Sequence, residues 1–543
     1  MSSAGHHRSN GSVLKRLPHR RLLSLGVLAL LPSVGVPALA WTQVVPGAGA
    51  AIGSLTADRA RMDQLWAARD QQTSDTLGAP RLRPIPASAD LLWNSDLPGG
   101  GNDGALWAGR GVSASVSGGM SFHAEPHRVR VDVALAPELD YSQNRTFGVL
   151  PGREPSRSSF SSPWHIGGAS ADLPLRFGDQ PVRTIGFGQS AVTLSRGAVA
   201  VGGSTANEWW GPGVRNTLVL SNNAGGIPRL FIRTARPVRT SIGSIDGRLF
   251  IGGLTESPFF DSDAGNNLRS VSGLLLVAHP SADSNLTLGL SRLVIAPLGS
   301  NWSVFLHTFD VVSRFEPVRA ALDTLSNGQL KQHTDQITSL CARWVFPESG
   351  VEAYVEWART ELPRSLREFA LAPHSTSAYV LGMQWTSGPR PSRVRIQAEV
   401  TYLEQTPVWN DRPTMDYYAG RAVVQGFTQR GQVLGAAIGP GSSNQFLAAD
   451  WVRTGWQVGA FSGRTRTEND ALYRQESTRN TRHDVTYFGG LRGGRRLAST
   501  DVSADLMAAR RLNYLFQSDF YIGSPVIATD ITNLTLRVRI NPR

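Results

Sequence analysis

Residues 393–402 read Arg-Val-Arg-Ile-Gln-Ala-Glu-Val-Thr-Tyr. Val394, Ile396, Ala398, Val400 and Tyr402 alternate with Arg393, Arg395, Gln397, Glu399 and Thr401. Successive side chains of an extended strand point to opposite faces. This stretch therefore predicts a strand with one greasy face and one charged face.

The same alternation continues outward in both directions. Leu340, Ala342, Trp344 and Phe346 alternate with Cys341 and Arg343. Beyond a turn at 347–350, Val351, Ala353, Val355 and Trp357 alternate with Glu352, Tyr354 and Glu356. Residues 128–136 set Val129, Val131, Val133 and Leu135 against Arg128, Arg130 and Asp132. Near the far end, Leu534, Leu536, Val538 and Ile540 alternate with Thr535, Arg537 and Arg539. The 56 glycines and scattered prolines argue for many strands and turns rather than helices.

Two architectures write this pattern. A soluble sandwich buries its apolar face, whereas a membrane barrel turns that face to lipid and lines its lumen with the charged one. Periodicity does not separate them, but secondary cues do. The strands approach the roughly 9–11 residues needed to cross a bilayer. Trp357, Trp385, Tyr402 and Trp451 stand at strand ends, where an aromatic girdle would lie. The chain ends in a strand, although its final Asn541-Pro542-Arg543 is not the terminal aromatic usual in bacterial barrels. The fold class expected is a transmembrane antiparallel outer-membrane β-barrel. Polar connections at 137–162, 317–336, 404–425 and 465–482 are expected to be its long outward loops. A hairpin over 187–203 turns at Ser195-Arg196-Gly197.

One segment stands out between strands. Residues 207–230 read Asn-Glu-Trp-Trp-Gly-Pro-Gly-Val-Arg-Asn-Thr-Leu-Val-Leu-Ser-Asn-Asn-Ala-Gly-Gly-Ile-Pro-Arg-Leu. The knot Trp209-Trp210-Gly211-Pro212-Gly213 is expected to run into a short strand at 217–220, with a second strand from Arg229. Adjacent indole rings beside Glu208, Arg215, Asn222 and Asn223 offer stacking faces edged by hydrogen-bonding groups, a surface suited to pyranose rings. The competing reading is structural: an interfacial anchor followed by a turn.

These residues also carry a resemblance. Asn-Glu-Trp-Trp-Gly-Pro-Gly, then Leu218-Val219-Leu220-Ser221-Asn222-Asn223-Ala224 and Ile227-Pro228, is similar to the capsule-assembly Wzi family. So are Leu173-Pro174-Leu175-Arg176-Phe177-Gly178, Gly188-Gln189-Ser190 and Thr234-Ala235-Arg236-Pro237. The resemblance implies a barrel of about eighteen strands that holds capsular polysaccharide at the cell surface. It also implies a periplasmic helical bundle ahead of the barrel, for which the sequence offers only an abbreviated stretch.

The N-terminus reads as an export signal over residues 1–40. Arg8, Lys15, Arg16, Arg20 and Arg21 precede an apolar run at 22–31, and Ala38-Leu39-Ala40 makes a small-x-small cleavage site. Residues 41–104 are expected to be a periplasmic segment with little regular structure, apart from one short helix within 56–69 with Met62, Leu65 and Trp66 on one side. Residues 105–543 would be the barrel. The formal charge is +12, and removing the five basic residues of the signal leaves +7. That balance favours anionic partners. Capsular or extracellular polysaccharide, outer-membrane lipid and lipopolysaccharide fit, with barrel-assembly machinery during insertion; export argues against nucleic acid. The single cysteine, Cys341, excludes an internal disulfide.

Chemistry is weakly signalled. No metal site, cofactor or catalytic group is predicted: the histidines are dispersed, and His123 and His127 flank a turn as a solvated pair. Glu352 and Glu356 on a barrel-interior face, or Asp261 and Asp263 in a loop, could supply the two carboxylates of a glycosidase, but a solvated or salt-bridged lumen wall is the favoured account of them. The arginines at 128, 130, 343, 393, 395, 537 and 539 are expected to be lumen charges. The function expected is non-enzymatic, lectin-like retention of polysaccharide, with Trp209, Trp210, Asn222, Asn223 and Arg229 as contacts. The alternatives are a porin or transporter, and a barrel enzyme acting on glycan or lipid.

Overall fold

The computed structural model describes residues 55–66, 81–150, 156–167, 170–298, 300–313, 334–363, 365–388, 391–405, 416–474, 482–517 and 529–542. The export signal expected at 1–40 lies outside the described residues, as does most of the loop expected at 317–336.

The described residues form eighteen antiparallel strands closed into a barrel. They are β1 (Arg81–Asn94), β2 (Gly111–Ala124), β3 (Arg130–Leu135 continued by Glu138–Ser142), β4 (Val182–Gly186 continued by Ala191–Arg196), β5 (Val199–Ser204) and β6 (Arg229–Thr234 continued by Val238–Thr240). There follow β7 (Gly243–Thr255), β8 (Leu268–Pro280), β9 (Leu286–Pro297), β10 (Asp335–Phe346), β11 (Val351–Arg359), β12 (Ser377–Thr386) and β13 (Ser392–Tyr402). The last are β14 (Ser443–Arg453), β15 (Trp456–Thr467), β16 (Asp484–Arg496), β17 (Thr500–Leu512) and β18 (Ile531–Pro542). β18 pairs with β1, from Ala89 opposite Ile540 to Asn94 opposite Thr535, and leaves no free edge.

The boundary expected at residue 105 moves upstream, because β1 is a wall strand. Pro84 and Pro86 hid it: the register of β1 against β2 shifts between Ile85 and Ser88, where proline breaks the ladder. The expected strand at 217–220 does not form; those residues are irregular. The turn expected at 195–197 is tighter, with β4 running to Arg196 and β5 starting at Val199.

Burial settles the choice between sandwich and barrel. On β13, Val394 and Ile396 are 42% and 43% exposed, while Arg395 and Glu399 are each 1% exposed. The polar face is inside and the greasy face outside, the reverse of a soluble sheet. Aromatic belts mark both rims. Trp344 with Phe346 (4.9 Å between centroids) and Trp451 with Trp456 (5.0 Å) lie at the short-turn end. Tyr379 stacked on Tyr402 (5.2 Å) lies at the other. Odd-numbered strands lead into long connections and even-numbered ones into short turns, so the short-turn end is the periplasmic one.

Helix α1 (Leu55–Gln64) ties to the wall near that end. Arg61 meets Glu352 of β11 at 2.8 Å, Asp63 pairs with Arg393 of β13 at 2.5 Å, and Met62 is fully buried. Outside the wall, residues 301–313 pack over β7–β9 and bury Ile251, Ser270, Ser272, Val294 and Ala296, positions that would otherwise face lipid.

Candidate functional site

The long connection between β5 and β6, residues 205–228, does not extend outward. It folds into the lumen, and its apolar residues Trp210, Leu218, Val219, Leu220, Ala224 and Ile227 pack against inward wall residues such as Phe231, Phe250 and Val380. The connection between β13 and β14 folds in beside it through Tyr417, Tyr418, Phe427 and Leu434. The two insertions are stitched together. Tyr418 Oη donates to the Leu218 carbonyl at 2.9 Å, and the Ser221 N–H donates to the Leu434 carbonyl at 2.8 Å.

A buried carboxylate organises the first insertion. Glu208 accepts from the Trp210 indole N–H at 2.6 Å and pairs with Arg229 of β6 (2.5 Å) and Arg248 of β7 (2.6 Å). Burial alone would raise the Glu208 carboxyl, but Arg229 and Arg248 outweigh it and hold it at about 2. Trp210 packs edge-on to Phe250, centroids 5.4 Å apart.

Wall carboxylates clasp the tip. Glu399 of β13 accepts from the backbone N–H groups of Val214 (2.7 Å), Arg215 (3.0 Å) and Asn216 (2.9 Å) and from Tyr354 Oη (2.9 Å). Glu356 of β11 accepts from Leu218 N–H (3.2 Å), Thr217 Oγ1 (3.1 Å) and Ser339 Oγ (3.0 Å). The Gly-Pro-Gly turn exists for close approach: a Cβ on Gly211 would come within 2.5 Å of the Glu356 carboxylate, and one on Gly213 within 1.8 Å of the Asn216 carbonyl.

The five expected contact residues are thus accounted for by position. Trp210 and Arg229 are buried and joined through Glu208. Trp209 is half-buried, its indole N–H donating to the Gly213 carbonyl at 3.1 Å. Asn222 and Asn223 are half-buried and donate to the carbonyls of Asn102 (2.9 Å) and Val433 (3.0 Å). Sequence reasoning missed Arg248, Glu399 and Tyr418, whose partners lie far away in sequence.

Glu352 and Glu356 do share the inner wall, as expected, and both are fully buried. Glu352 is held by Arg61, Arg343 and Gln384. Of the expected lumen arginines, Arg128 is a correction: it lies in the short turn between β2 and β3, where Pro126 ends the strand. His123 meets Asp132 at 2.7 Å rather than His127. Among the described residues no group of three or more His, Cys, Asp or Glu is placed to hold a metal ion.

The family model for the capsule assembly protein Wzi matches residues 108–490. Escherichia coli Wzi has a solved structure described as an outer-membrane protein involved in group 1 capsule assembly and a carbohydrate-binding β-barrel. It aligns at 11% identity over 84% of each chain, with a TM-score of 0.50. Pseudomonas aeruginosa OccK7 aligns at 11% identity over 86% of this chain and all of its own, with a TM-score of 0.38. Pseudomonas putida OprB aligns at 10% identity over 84% and 93%, with a TM-score of 0.35. No curated protein matches.

Proposed function

Because the chain belongs to the capsule-assembly Wzi family, we propose that it binds exported capsular or extracellular polysaccharide and retains it at the surface of the outer membrane without making or breaking a covalent bond. The observation that carries this reading is the filled lumen. The insertions from the β5–β6 and β13–β14 connections share one apolar core with the inner wall of β6–β12, an arrangement suited to a fixed platform rather than to a wide passage. The wall carboxylates nearest to glycosidase spacing are engaged by α1 and by the insertion, which suits binding over hydrolysis.

Within that reading, Trp210 and Arg229 act from beneath, by fixing the insertion through Glu208. The surface a glycan could reach belongs to Trp209, Asn222 and Asn223, which keep partial exposure. Repeating units along one polymer would add avidity, so each contact can be weak. Deletion of the gene tests the proposal: cell-bound polysaccharide should fall while free polymer in the medium rises. A fall in total synthesis, with no shift from bound to free, would defeat it.

A further inference from the structure

Many lumen arginines in this barrel are matched by carboxylates, and two that form no ion pair among the described residues, Arg233 and Arg269, are half-buried and buried respectively. Arg395 meets Asp58 and Asp450, Arg343 meets Glu352, Arg492 meets Asp450, and Arg539 meets Asp90. Arg215 differs. It stands at the tip of the first insertion with its side chain exposed, and no carboxylate among the described residues lies within ion-pair distance of it. Its guanidinium sits 4.5 Å from the centroid of Phe446 on β14.

Phe446 begins a cross-strand row of rings. Phe461 on β15 follows at 6.0 Å, and Phe488 on β16 at a further 6.5 Å. Glycines lie opposite them: Gly463 faces both Phe446 and Phe488, and Gly490 faces Phe461. A Cβ on Gly463 would come within 2.4 Å of the Phe488 ring, and one on Gly490 within 2.6 Å of the Phe461 ring. The rings therefore lie down over glycine, with a flat face toward the lumen. Phe461 and Phe488 are only half-buried, whereas the inner wall of β10–β13 is sealed by the insertions and α1.

We propose that Arg215 and the Phe446–Phe461–Phe488 row form a second binding site, inside the lumen, for an acidic sugar of the uronate type. The proposal rests on the polysaccharide reading above and names the chemistry of one ligand. A sugar carboxylate takes the forked donors of Arg215, and pyranose C–H faces lie on Phe461 and Phe488. Sugar recognition by rings alone would not call for an unmatched guanidinium at the end of the row.

The test is titration calorimetry on the full-length protein in detergent, with a uronate hexamer and with neutral maltohexaose as probes. Heat-modifiable gel migration serves as the check that each variant folds. Arg215→Gln should weaken uronate binding by about tenfold, the effect of one charge-assisted contact, and leave maltohexaose unchanged. Arg215→Lys should fall between, and Phe461→Leu with Phe488→Leu should weaken both probes. Uronate binding unchanged by Arg215→Gln, or no preference of the native protein for the acidic probe, overturns the lumen site. Loss of cell-bound polymer on gene deletion, with full retention by Arg215→Gln and by the Phe461→Leu, Phe488→Leu double variant, overturns this site and leaves the retention reading standing. Unchanged retention on deletion defeats that reading while the calorimetry still judges this one.

Discussion

Glu208 shows how a charge beside two tryptophans becomes a structural member. From the sequence it reads as a hydrogen-bonding group for sugar; in the fold it joins Trp210, Arg229 and Arg248 in a buried cluster. The cations involved are arginines, and Lys15 and Lys331 are the only lysines in the chain. A planar guanidinium keeps its charge when buried and can serve several acceptors, which suits a polar interior. Glu208→Gln would leave Arg229 and Arg248 facing each other without a counter-charge, at a cost of about 3–5 kcal/mol. The variant should lose heat-modifiable migration at a lower temperature than the native protein. The pH dependence follows from the depressed carboxyl. The stabilisation is present above the unfolded value of 4.5 and is lost as pH falls through about 2. Between those values the stability gap between native protein and variant should close; a constant gap would refute the ion-pair account.

At the scale of elements, β13 makes the sharpest claim. Ile396 is 43% exposed, and in a soluble protein a change to Arg there would cost almost nothing. Facing lipid near the middle of a strand, Ile396→Arg should cost roughly 2–4 kcal/mol and lower the yield of folded barrel in vesicles. Strands of this kind were legible because a single strand writes its own alternation. Others were not. β3 shows its period only up to the break at Ala136-Pro137, and β6 breaks at Arg236-Pro237 into halves too short to show one. The insertions were illegible for a different reason. Residues 205–228 are rich in glycine and asparagine, and several of the wall residues that draw them inward, such as Glu356 and Glu399, lie more than a hundred positions away. Loops that stay at the rim are held by a small apolar cluster around Trp164 and Phe516 and by polar contacts. His165, in the β3–β4 connection, meets Glu468 after β15 at 2.8 Å. Burial would lower the imidazole's pKa, but Glu468 outweighs it and raises it above 6.5. That latch is full below 6.5 and lost as pH rises through the raised value. Limited proteolysis should therefore cut these two loops faster at pH 9 than at pH 6, and His165→Phe should abolish the difference.

For the molecule as a whole, the question is what an eighteen-stranded wall encloses. A wall of that size can surround a wide aqueous channel, as in porins of 16–18 strands. Here inward apolar side chains of β6–β12, such as Phe231, Phe250 and Val380, join a core shared with two inserted connections, Glu356 and Glu399 clasp the first of these, and α1 adds ion pairs at the periplasmic end. The aromatic row on β14–β16 keeps some access to solvent, but it shares the lumen with that core. In planar bilayers the native protein should show conductance far below that of an open porin of equal strand number. Replacing residues 416–442 by a short Gly-Ser linker should remove Tyr418, Phe427 and Leu434 from the core, release residues 205–228 from their partner, and produce large openings. The wall itself should survive, because β13 and β14 pair directly from Ser392 opposite Arg453 to Tyr402 opposite Ser443 and do not need the insertion for their register. Steady, large openings in the native protein would mean that the insertions do not close the lumen, and a platform for polymer would give way to a channel for solutes.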